Sequence, residues 1–190
     1  MKAVKLLLVS FFLLIVSTTN VVADKKFDSC AINATYPQAQ AEVGETFMAI
    51  AGSIVAGAGQ GAESKYMDQL ISFHAYGPKF VEFNGGWSFD SAGNEHGERQ
   101  LFGEDLEIGG VTKFAYIEGT LNIAVYCGNV ANLTFISDFD LIFKGDGPEE
   151  ERTFTINNLI TLLFVKTKGE WKLVHEHHSP VSKDWTRPPE

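Results

Sequence analysis

The chain has 190 residues, 45% of them hydrophobic, and its 24 acidic against 15 basic residues give a formal net charge of −9 at pH 7. A surface of that sign repels nucleic acid and anionic lipid, so neither is an expected partner. The length suits one domain with a single hydrophobic core.

Residues 1–23 have the composition of a secretory signal peptide. Lys2 and Lys5 precede an apolar run, and the small residue Ala23 stands just before the charged residues 24–26. The run is shorter than the roughly 20 residues of a membrane-spanning helix, although an uncleaved N-terminal anchor is the alternative. We therefore expect cleavage after Ala23 and a secreted or periplasmic protein that does not stay in a membrane.

Both cysteines, Cys30 and Cys127, lie in the predicted mature part, and an exported protein meets an oxidising compartment. One disulfide can form between them, but two separate thiols are an equal alternative because the sequence does not give their distance. Asn33 and Asn132 begin N-glycosylation motifs, which matter only if the source is a eukaryote.

Two helices are predicted before any strand. Residues 39–56 place Val43 and Phe47 at helical spacing, the glycine-rich segment 57–61 ends this helix, and residues 62–73 resume the helical period. The glycines lack the spacing and the preceding strand of a nucleotide-binding loop. No cofactor is therefore expected.

Beyond the helices the sequence predicts strands separated by glycine and asparagine turns. A short strand at 79–83 precedes a polar stretch at 87–110. Four longer strands are predicted at 114–125, 130–144, 153–167 and 170–178. Helices followed by an antiparallel meander indicate an α+β fold, with N-terminal helices packed in the concavity of a curved, mainly antiparallel sheet.

The domain boundaries follow from these elements. We expect a lead-in at 24–38, one domain at 39–180 and an extended tail at 181–190.

The last predicted strand is the most informative segment for function. Because side chains alternate along a strand, we predict that Trp171, Leu173, His175 and His177 share one face, and that Lys172, Val174, Glu176 and His178 share the other. A face that is apolar at one end and polar at the other is typical of a small-molecule cavity. We therefore predict that Trp171, His175 and His177 contact a ligand and that the two histidines are candidate acid–base groups.

The histidine pair has two other interpretations. Two histidines at i and i+2 on a strand can converge on one metal ion, with His74 or His96 as a third ligand, but nothing in the sequence fixes that ligand and no metal is predicted. In the other interpretation, one imidazole bonds a backbone carbonyl at the core edge and the other faces solvent.

Two acidic and two aromatic side chains complete the candidate site. Asp138 and Asp140 share one strand face. Burial of that face in a pocket would raise a carboxyl pKa and create a proton acceptor, whereas contact with water, which half-exposed strands favour, would leave both acids merely solubilising. Tyr66 and Trp87 are suited to contact a ring-bearing ligand.

The order of elements and the terminal pattern Trp171-x-x-Val174-His175-x-His177-x-Ser179 resemble the SnoaL-like branch of the nuclear transport factor 2-like superfamily. The same pattern is similar to the association domain of calcium/calmodulin-dependent protein kinases. The resemblance spans residues 39–180 and implies a cone-like, cystatin-like fold whose bent sheet encloses a pocket. Members include polyketide cyclases, steroid isomerases, dehydratases and assembly domains, so the family does not fix one function.

The resemblance also bears on the chemistry. Kinase association domains have an arginine nine places before the tryptophan, and Leu162 stands there, which argues against an anion-binding pocket of that type. We expect a small, partly apolar ligand, with any catalysis being cofactor-free proton transfer of the isomerase, cyclase or dehydratase type. The alternative is a non-catalytic binding or assembly module that forms a homodimer, with Ile136 and Ile142 in the interface.

Overall fold

The computed structural model describes residues 30–104, 108–143 and 152–187, so the predicted signal peptide lies outside the described residues. The helices are α1 (Pro37–Gly57), α2 (Lys65–Ser72) and α3 (Ser91–Glu98), and α3 continues into a π-helical turn at Arg99–Gly103. The strands are β1 (Val81–Asn84), β2 (Trp87–Phe89), β3 (Ile108–Tyr116), β4 (Asn122–Tyr126), β5 (Val130–Phe143), β6 (Arg152–Ile156), β7 (Asn158–Thr167) and β8 (Glu170–Pro180).

The strands form one open, curved sheet in the order β2-β1-β8-β7-β5-β3, with β4 and β6 also paired to β5. The pairing of β1 with β8 is parallel, and the other pairs are antiparallel. This arrangement confirms the predicted α+β class with a mainly antiparallel sheet.

The sheet changes direction near Ser137 in the middle of β5. The two segments predicted as single strands, 114–125 and 153–167, are each interrupted at this level and form β3 with β4 and β6 with β7. Asn157 explains the second break, because its side chain donates to the Ser137 carbonyl at 2.7 Å, and the backbone N–H of Asn158 donates to the Ser137 hydroxyl at 2.9 Å. Side-chain bonds replace the regular ladder there.

Helix α1 fills the concave side of the sheet. Its apolar side chains repeat every three or four residues, so they form one stripe that is buried against the strands. The central core residues are Val43, Phe47, Ile50, Ile54, Leu133, Phe135, Leu162, Phe164 and Leu173. Among the described residues no helix is long and apolar enough to cross a membrane.

The N-terminal lead-in and the C-terminal tail are both tied to the sheet. Cys30 and Cys127 form a disulfide with their Cα atoms 4.7 Å apart, which decides between the two alternatives for these cysteines. At the other end, Arg187 bonds the carboxylate of Asp138 on β5 through both terminal nitrogens.

Candidate functional site

A β-bulge in β8 decides which side chains of this strand reach the interior. Leu173 pairs with Phe164 of β7, and the next paired residues are His175 and Leu163. Val174 is therefore an extra residue without a partner on β7. An extra residue in one strand shifts its inward and outward alternation by one position.

The bulge brings Glu176 into the interior. Before it, Trp171 and Leu173 face the core and expose only 5% and 1% of their surface. After it, Glu176 takes the buried position with 5% exposure, and His178 lies on the same side. The inward face of β8 is thus aromatic and aliphatic before the bulge and ionisable after it.

The prediction that His175 and His177 share the face of Trp171 is therefore wrong. The half-buried His175 places Nδ1 2.8 Å from the backbone carbonyl oxygen of Val81, and His177 is exposed. The ring of Phe83 packs edge-on against both imidazoles, with centroid distances of 5.8 and 6.3 Å. This arrangement is the third interpretation of the pair, with one imidazole on a carbonyl and the other in solvent.

A cavity of about 40 Å³ lies between the helices and the concave face of the sheet. Its polar end consists of His74, Glu98, Glu176 and His178. Its apolar wall consists of Ile50, Ile54, Leu70, Phe102, Phe114, Phe135, Ile160, Leu162 and Leu173. Leu162, at the position of the arginine in kinase association domains, therefore adds an apolar surface rather than a charge.

Glu176 is held between two imidazoles. Its Oε1 lies 3.0 Å from Nε2 of His74, and its Oε2 lies 3.2 Å from Nε2 of His178. Burial raises the pKa of Glu176, but the hydrogen bonds and charges of His178 and His74 outweigh burial and lower it to about 2. Glu176 is therefore an ionised carboxylate in the core.

The second nitrogen of His74 fixes how this ring is bonded. Nδ1 lies 3.0 Å from the carbonyl oxygen of Leu70, in the last turn of α2. A carbonyl oxygen and an ionised carboxylate only accept hydrogen bonds. Since His74 lies between one of each, this geometry requires hydrogen on both ring nitrogens while Glu176 is ionised. The pair forms a buried, charge-compensated unit.

His178 is oriented differently, as a group that can react. Its Nε2 donates to Glu176, and its Nδ1 has no hydrogen-bond partner among the described residues. A carboxylate that holds one imidazole nitrogen as a donor leaves the other as a proton acceptor. His178 lines the cavity and is therefore placed as a general base.

Glu98 contributes the opposite chemistry. This residue ends α3, and its Oε2 is buried with no hydrogen-bond partner in the part of the chain that the structure describes. Burial, followed by the negative charges of Glu176 and Glu82, raises the pKa of Glu98 well above its ordinary value. The raised pKa favours the protonated carboxyl group, which is a hydrogen-bond donor to a molecule in the cavity.

Helix α3 and β1 supply the polar residues that support this site. The side chain of Asp90 caps α3 by accepting from Gly93 N–H at 2.9 Å. One turn into the helix, Asn94 donates to Glu82 of β1 at 2.8 Å and accepts from the hydroxyl of Tyr76 at 2.5 Å. Burial raises the pKa of Tyr76, so it remains a neutral donor.

The acids predicted on β5 lie in a different environment. Asp138 is buried, and the hydrogen bonds of Arg187, followed by those of Lys113, lower its pKa. For Asp138, neither the raised pKa that a pocket would have required nor the contact with water that was the alternative is found. Asp140 is partly exposed. Asp140 accepts a hydrogen bond of 2.7 Å from Thr155.

The predicted aromatic contacts are spread over three places, none of them lining the 40 Å³ cavity. Tyr66 packs against the core, and Trp87 is 73% exposed at the start of β2. Trp171 is buried beside a surface groove and donates from Nε1 to Glu42 at 3.0 Å. The ligand contacts assigned to these residues stay predictions.

The metal interpretation has no geometric support in the described part of the chain. No group of three or more His, Cys, Asp or Glu side chains there is arranged to hold a metal ion. His74, considered above as a third ligand, bonds Glu176 instead, and His96 is exposed on α3.

Sequence reasoning missed Glu98 and assigned Glu176 and His178 to the wrong side of the strand. A signal was present, because Glu176 is a single carboxylate among three histidines in a segment predicted to be a strand. That pattern marks a charge-paired imidazole, but it does not say on which face the pair lies.

The geometry can be compared with known proteins. The family model of the SnoaL-like domain matches residues 53–183. None of the curated proteins matches the chain. Solved structures do match, at identities that show the fold alone.

Three of these structures illustrate the range. A nuclear transport factor 2-like protein from Salmonella enterica is 15% identical with a TM-score of 0.60, over 81% of this chain and 99% of that one. One from Streptomyces avermitilis, provisionally assigned as a dehydratase, is 16% identical with a TM-score of 0.58, over 78% and 99%. A calcium/calmodulin-dependent kinase II hub homology domain from Chlamydomonas reinhardtii is 18% identical with a TM-score of 0.53, over 76% and 99%.

The family model spans more than half of the chain, and the fold agrees with all three structures. The resemblance inferred from the terminal strand is thereby confirmed. The chain belongs to the SnoaL-like domain family, and its fold is that of the nuclear transport factor 2-like proteins.

Proposed function

We propose that the interior cavity binds a small, uncharged, partly apolar molecule that carries a carbonyl group, and that the protein moves a proton on this molecule without a cofactor. One observation carries the proposal: a carboxylate-oriented imidazole, His178, and a buried, unpartnered carboxyl oxygen, that of Glu98, line the same cavity. An acceptor and a donor facing one space are the two groups that such a reaction needs.

The reaction begins with proton removal. Nδ1 of His178 takes a proton from the carbon next to the carbonyl group, and Glu176 stabilises the resulting imidazolium. The electron pair moves onto the carbonyl oxygen, which accepts a hydrogen bond from the carboxyl group of Glu98. If the ligand has a neighbouring carbon–carbon double bond, return of the proton from His178 to the far carbon is an isomerisation. If it has a β-hydroxyl group, transfer of that proton to the departing hydroxyl releases water, which is a dehydration.

The apolar wall selects the rest of the ligand. Ile50, Phe135 and Leu162 surround it with aliphatic and aromatic surface, and they offer no group to compensate a charge. A ligand with an exposed ionic group at this end would lose its hydration without replacement. A cyclic or branched hydrocarbon portion is therefore favoured.

Deuterium exchange tests the proposed chemistry without knowledge of the natural substrate. The wild-type protein should accelerate exchange of the α-protons of cyclohexanone in D₂O, followed by NMR, and His178→Asn should lose that acceleration. His177→Asn is the matched control, since it removes the adjacent imidazole from the outer face. Equal exchange by wild type and His178→Asn would refute the assignment of the base.

We propose separately that the protein is exported. The signal-like residues 1–23 support this, and so does the Cys30–Cys127 disulfide, since such bonds persist in oxidising compartments. Expression of the full chain, followed by fractionation and mass spectrometry, should give a protein that begins at Asp24 and carries no free thiol. A cytoplasmic product that still begins with Met1 would contradict export.

A second candidate function is assembly. Leu159 and Phe83 are 49% and 46% exposed, and the similarity to a hub homology domain favours an oligomer. Ile136 and Ile142 of β5, the predicted interface residues, are half-buried. Sedimentation should show a dimer that Leu159→Glu converts to a monomer, and a wild-type monomer at high concentration would exclude this candidate.

A further inference from the structure

A second hollow lies on the far side of Glu98. This recess of about 180 Å³ opens between α3 and the β1–β2 hairpin, with Phe89 and Leu101 as its apolar side chains. Glu98 lines both the recess and the 40 Å³ cavity. Glu98 is therefore the residue that the linings of the buried cavity and of the larger, more open recess have in common.

The recess exists because one face of α3 has no side chains. Gly93 and Gly97 are four residues apart, which places them one above the other on the same helix face. A Cβ atom added to Gly97 would meet no atom within 4 Å, and one added to Gly93 would make contacts of 3.4 Å or more. No described atom of the protein fills the space in front of Gly97, although a helix with glycine here is less stable than one with alanine.

Glu98, which lines both hollows, has a carboxyl oxygen without a hydrogen-bond partner among the described residues. Oε2 of Glu98 is buried and unpartnered in the described chain, an unfavourable arrangement that a hydrogen bond from a ligand would relieve. The neighbouring acids are already occupied: Glu82 accepts from Asn84 and Asn94, and Glu176 accepts from His74 and His178. Glu98 is thus the acid left for a ligand.

We propose that the cavity and the recess are two halves of one elongated ligand site, and that Glu98 hydrogen-bonds the polar centre of a ligand that extends into both. This rests on the proposed function, and it adds the shape of the substrate. The ligand is an uncharged molecule with a hydrogen-bonding oxygen between two apolar parts. One part lies in the core cavity, and the other lies between Phe89, Leu101 and the bare face of α3.

The charges around Glu98 explain why the ligand is uncharged. Glu82 is buried in the wall of the recess, and the ionised Glu176 lines the cavity, so an anionic ligand would meet a carboxylate on either side of Glu98. The outer half is different because Leu101 is 43% exposed at the recess, so that an apolar end of the ligand removes hydrocarbon surface from water.

Filling the recess tests the proposal. Gly97→Leu places a side chain in the empty space, and Gly97→Ala is the matched control that adds one methyl group with no clash. The probes are cyclohexanone, which has one apolar part, and 4-phenylcyclohexanone, which has two. Affinities are measured by calorimetry and by the shift in melting temperature.

We expect wild type to bind the longer ketone at least about tenfold more tightly than the shorter one. Gly97→Leu should remove that advantage and leave the affinity for cyclohexanone unchanged, while Gly97→Ala should keep both affinities. Unchanged binding of the longer ketone by Gly97→Leu would overturn the two-part site, as would an equal loss for both ketones.

The two proposals fail in different ways. If wild type binds cyclohexanone but not 4-phenylcyclohexanone, the elongated site is wrong and the proposed function stands. If wild type binds neither ketone, the carbonyl ligand of the proposed function is wrong, and the elongated site is lost with it. If cyclohexylamine binds more tightly than cyclohexanone, Glu98 is a carboxylate that receives a cation, which overturns the uncharged ligand.

Discussion

The two faces of β8 carry the same kinds of residue in opposite environments. His178 and Glu176 lie inside and bond each other, whereas His177, their neighbour in sequence, faces solvent, and His175 bonds a backbone carbonyl. These histidines differ in the side of the sheet on which they lie, and the bulge at Val174 determines that side. Reactivity therefore follows from burial beside a charged partner, not from the residue type.

Removal of the buried carboxylate of Glu176 should have the largest effect on stability. Glu176→Ala leaves His74 and His178 without the acceptor that they share. Breaking a buried ion pair on one side costs about 3–5 kcal/mol, so we expect a loss of that size in the free energy of unfolding in urea at pH 7. His177→Ala, on the outer face, is the control.

The effect of Glu176→Ala on the free energy of unfolding should depend on pH. The lowered pKa of Glu176, about 2 against an ordinary 4.5, stabilises the fold above pH 4.5, and this contribution is lost as the pH falls towards 2. The difference in unfolding free energy between wild type and Glu176→Ala should therefore shrink over that range. A difference that stays constant from pH 6 to pH 3 would show that Glu176 is not ionised in the core.

The pKa of Glu98 is shifted in the opposite direction from that of Glu176, so its effect on stability has the opposite pH dependence. Because its pKa is raised, the folded state holds this proton more tightly than the unfolded state, and stability is lost as the pH rises from about 4.5 to the folded pKa. Glu98→Gln resembles the protonated form and removes that loss. We expect the variant to gain stability relative to wild type as the pH rises above about 4.5, measured by urea unfolding.

A surface carboxylate gives the control for that experiment. Glu118 is exposed in the turn after β3, and Glu118→Gln should follow the wild-type pH profile. If Glu98→Gln also follows it, the carboxyl group of Glu98 is solvated, and its role as a donor is lost.

Deleting the bulge residue tests what sets the two faces. Without Val174, the pairs Leu173–Phe164 and His175–Leu163 become consecutive, so Glu176 should still point inward. We expect a loss of only about 1–2 kcal/mol from local repacking, with the acid dependence of Glu176 retained. A deletion variant that has lost this dependence between pH 4.5 and pH 2 would show that the pairing of His175 with Leu163 does not survive the deletion.

The sequence predicts the fold better than the site for a physical reason. The spacing of apolar residues predicts helix α1 and most of the strands, because each of these elements buries one face in the same hydrophobic core. Val43 and Phe47 are such buried residues of α1. The bulge at Val174 depends on how β7 and β8 pack together, which no local pattern records. Because of this one extra residue, Glu176 and His178 face the interior in place of the predicted His175 and His177.

The sequence did not predict Glu98 as a site residue, for a different reason. It lies in the polar stretch 87–110, where the short helix α3 depends on the Asp90 cap and on the bond of Asn94 to Glu82. The bond of Asn94 to Glu82 joins a helix to a strand 12 residues earlier, so composition alone predicts an irregular stretch. The disulfide was left open in the same way, since Cys30 and Cys127 are 97 residues apart.

The smallest expected effects belong to the outer face and complete the comparison. His175→Ala removes one hydrogen bond to the carbonyl oxygen of Val81 and should cost about 1 kcal/mol in unfolding free energy, whereas His177→Ala should cost less than about 0.5 kcal/mol. Neither substitution should change ketone binding or deuterium exchange, because both rings lie outside the cavity lining. If His177→Ala abolishes exchange while His178→Asn preserves it, the reactive imidazole is on the outer face, and the chemistry belongs to the groove beside Phe83 rather than to the core cavity.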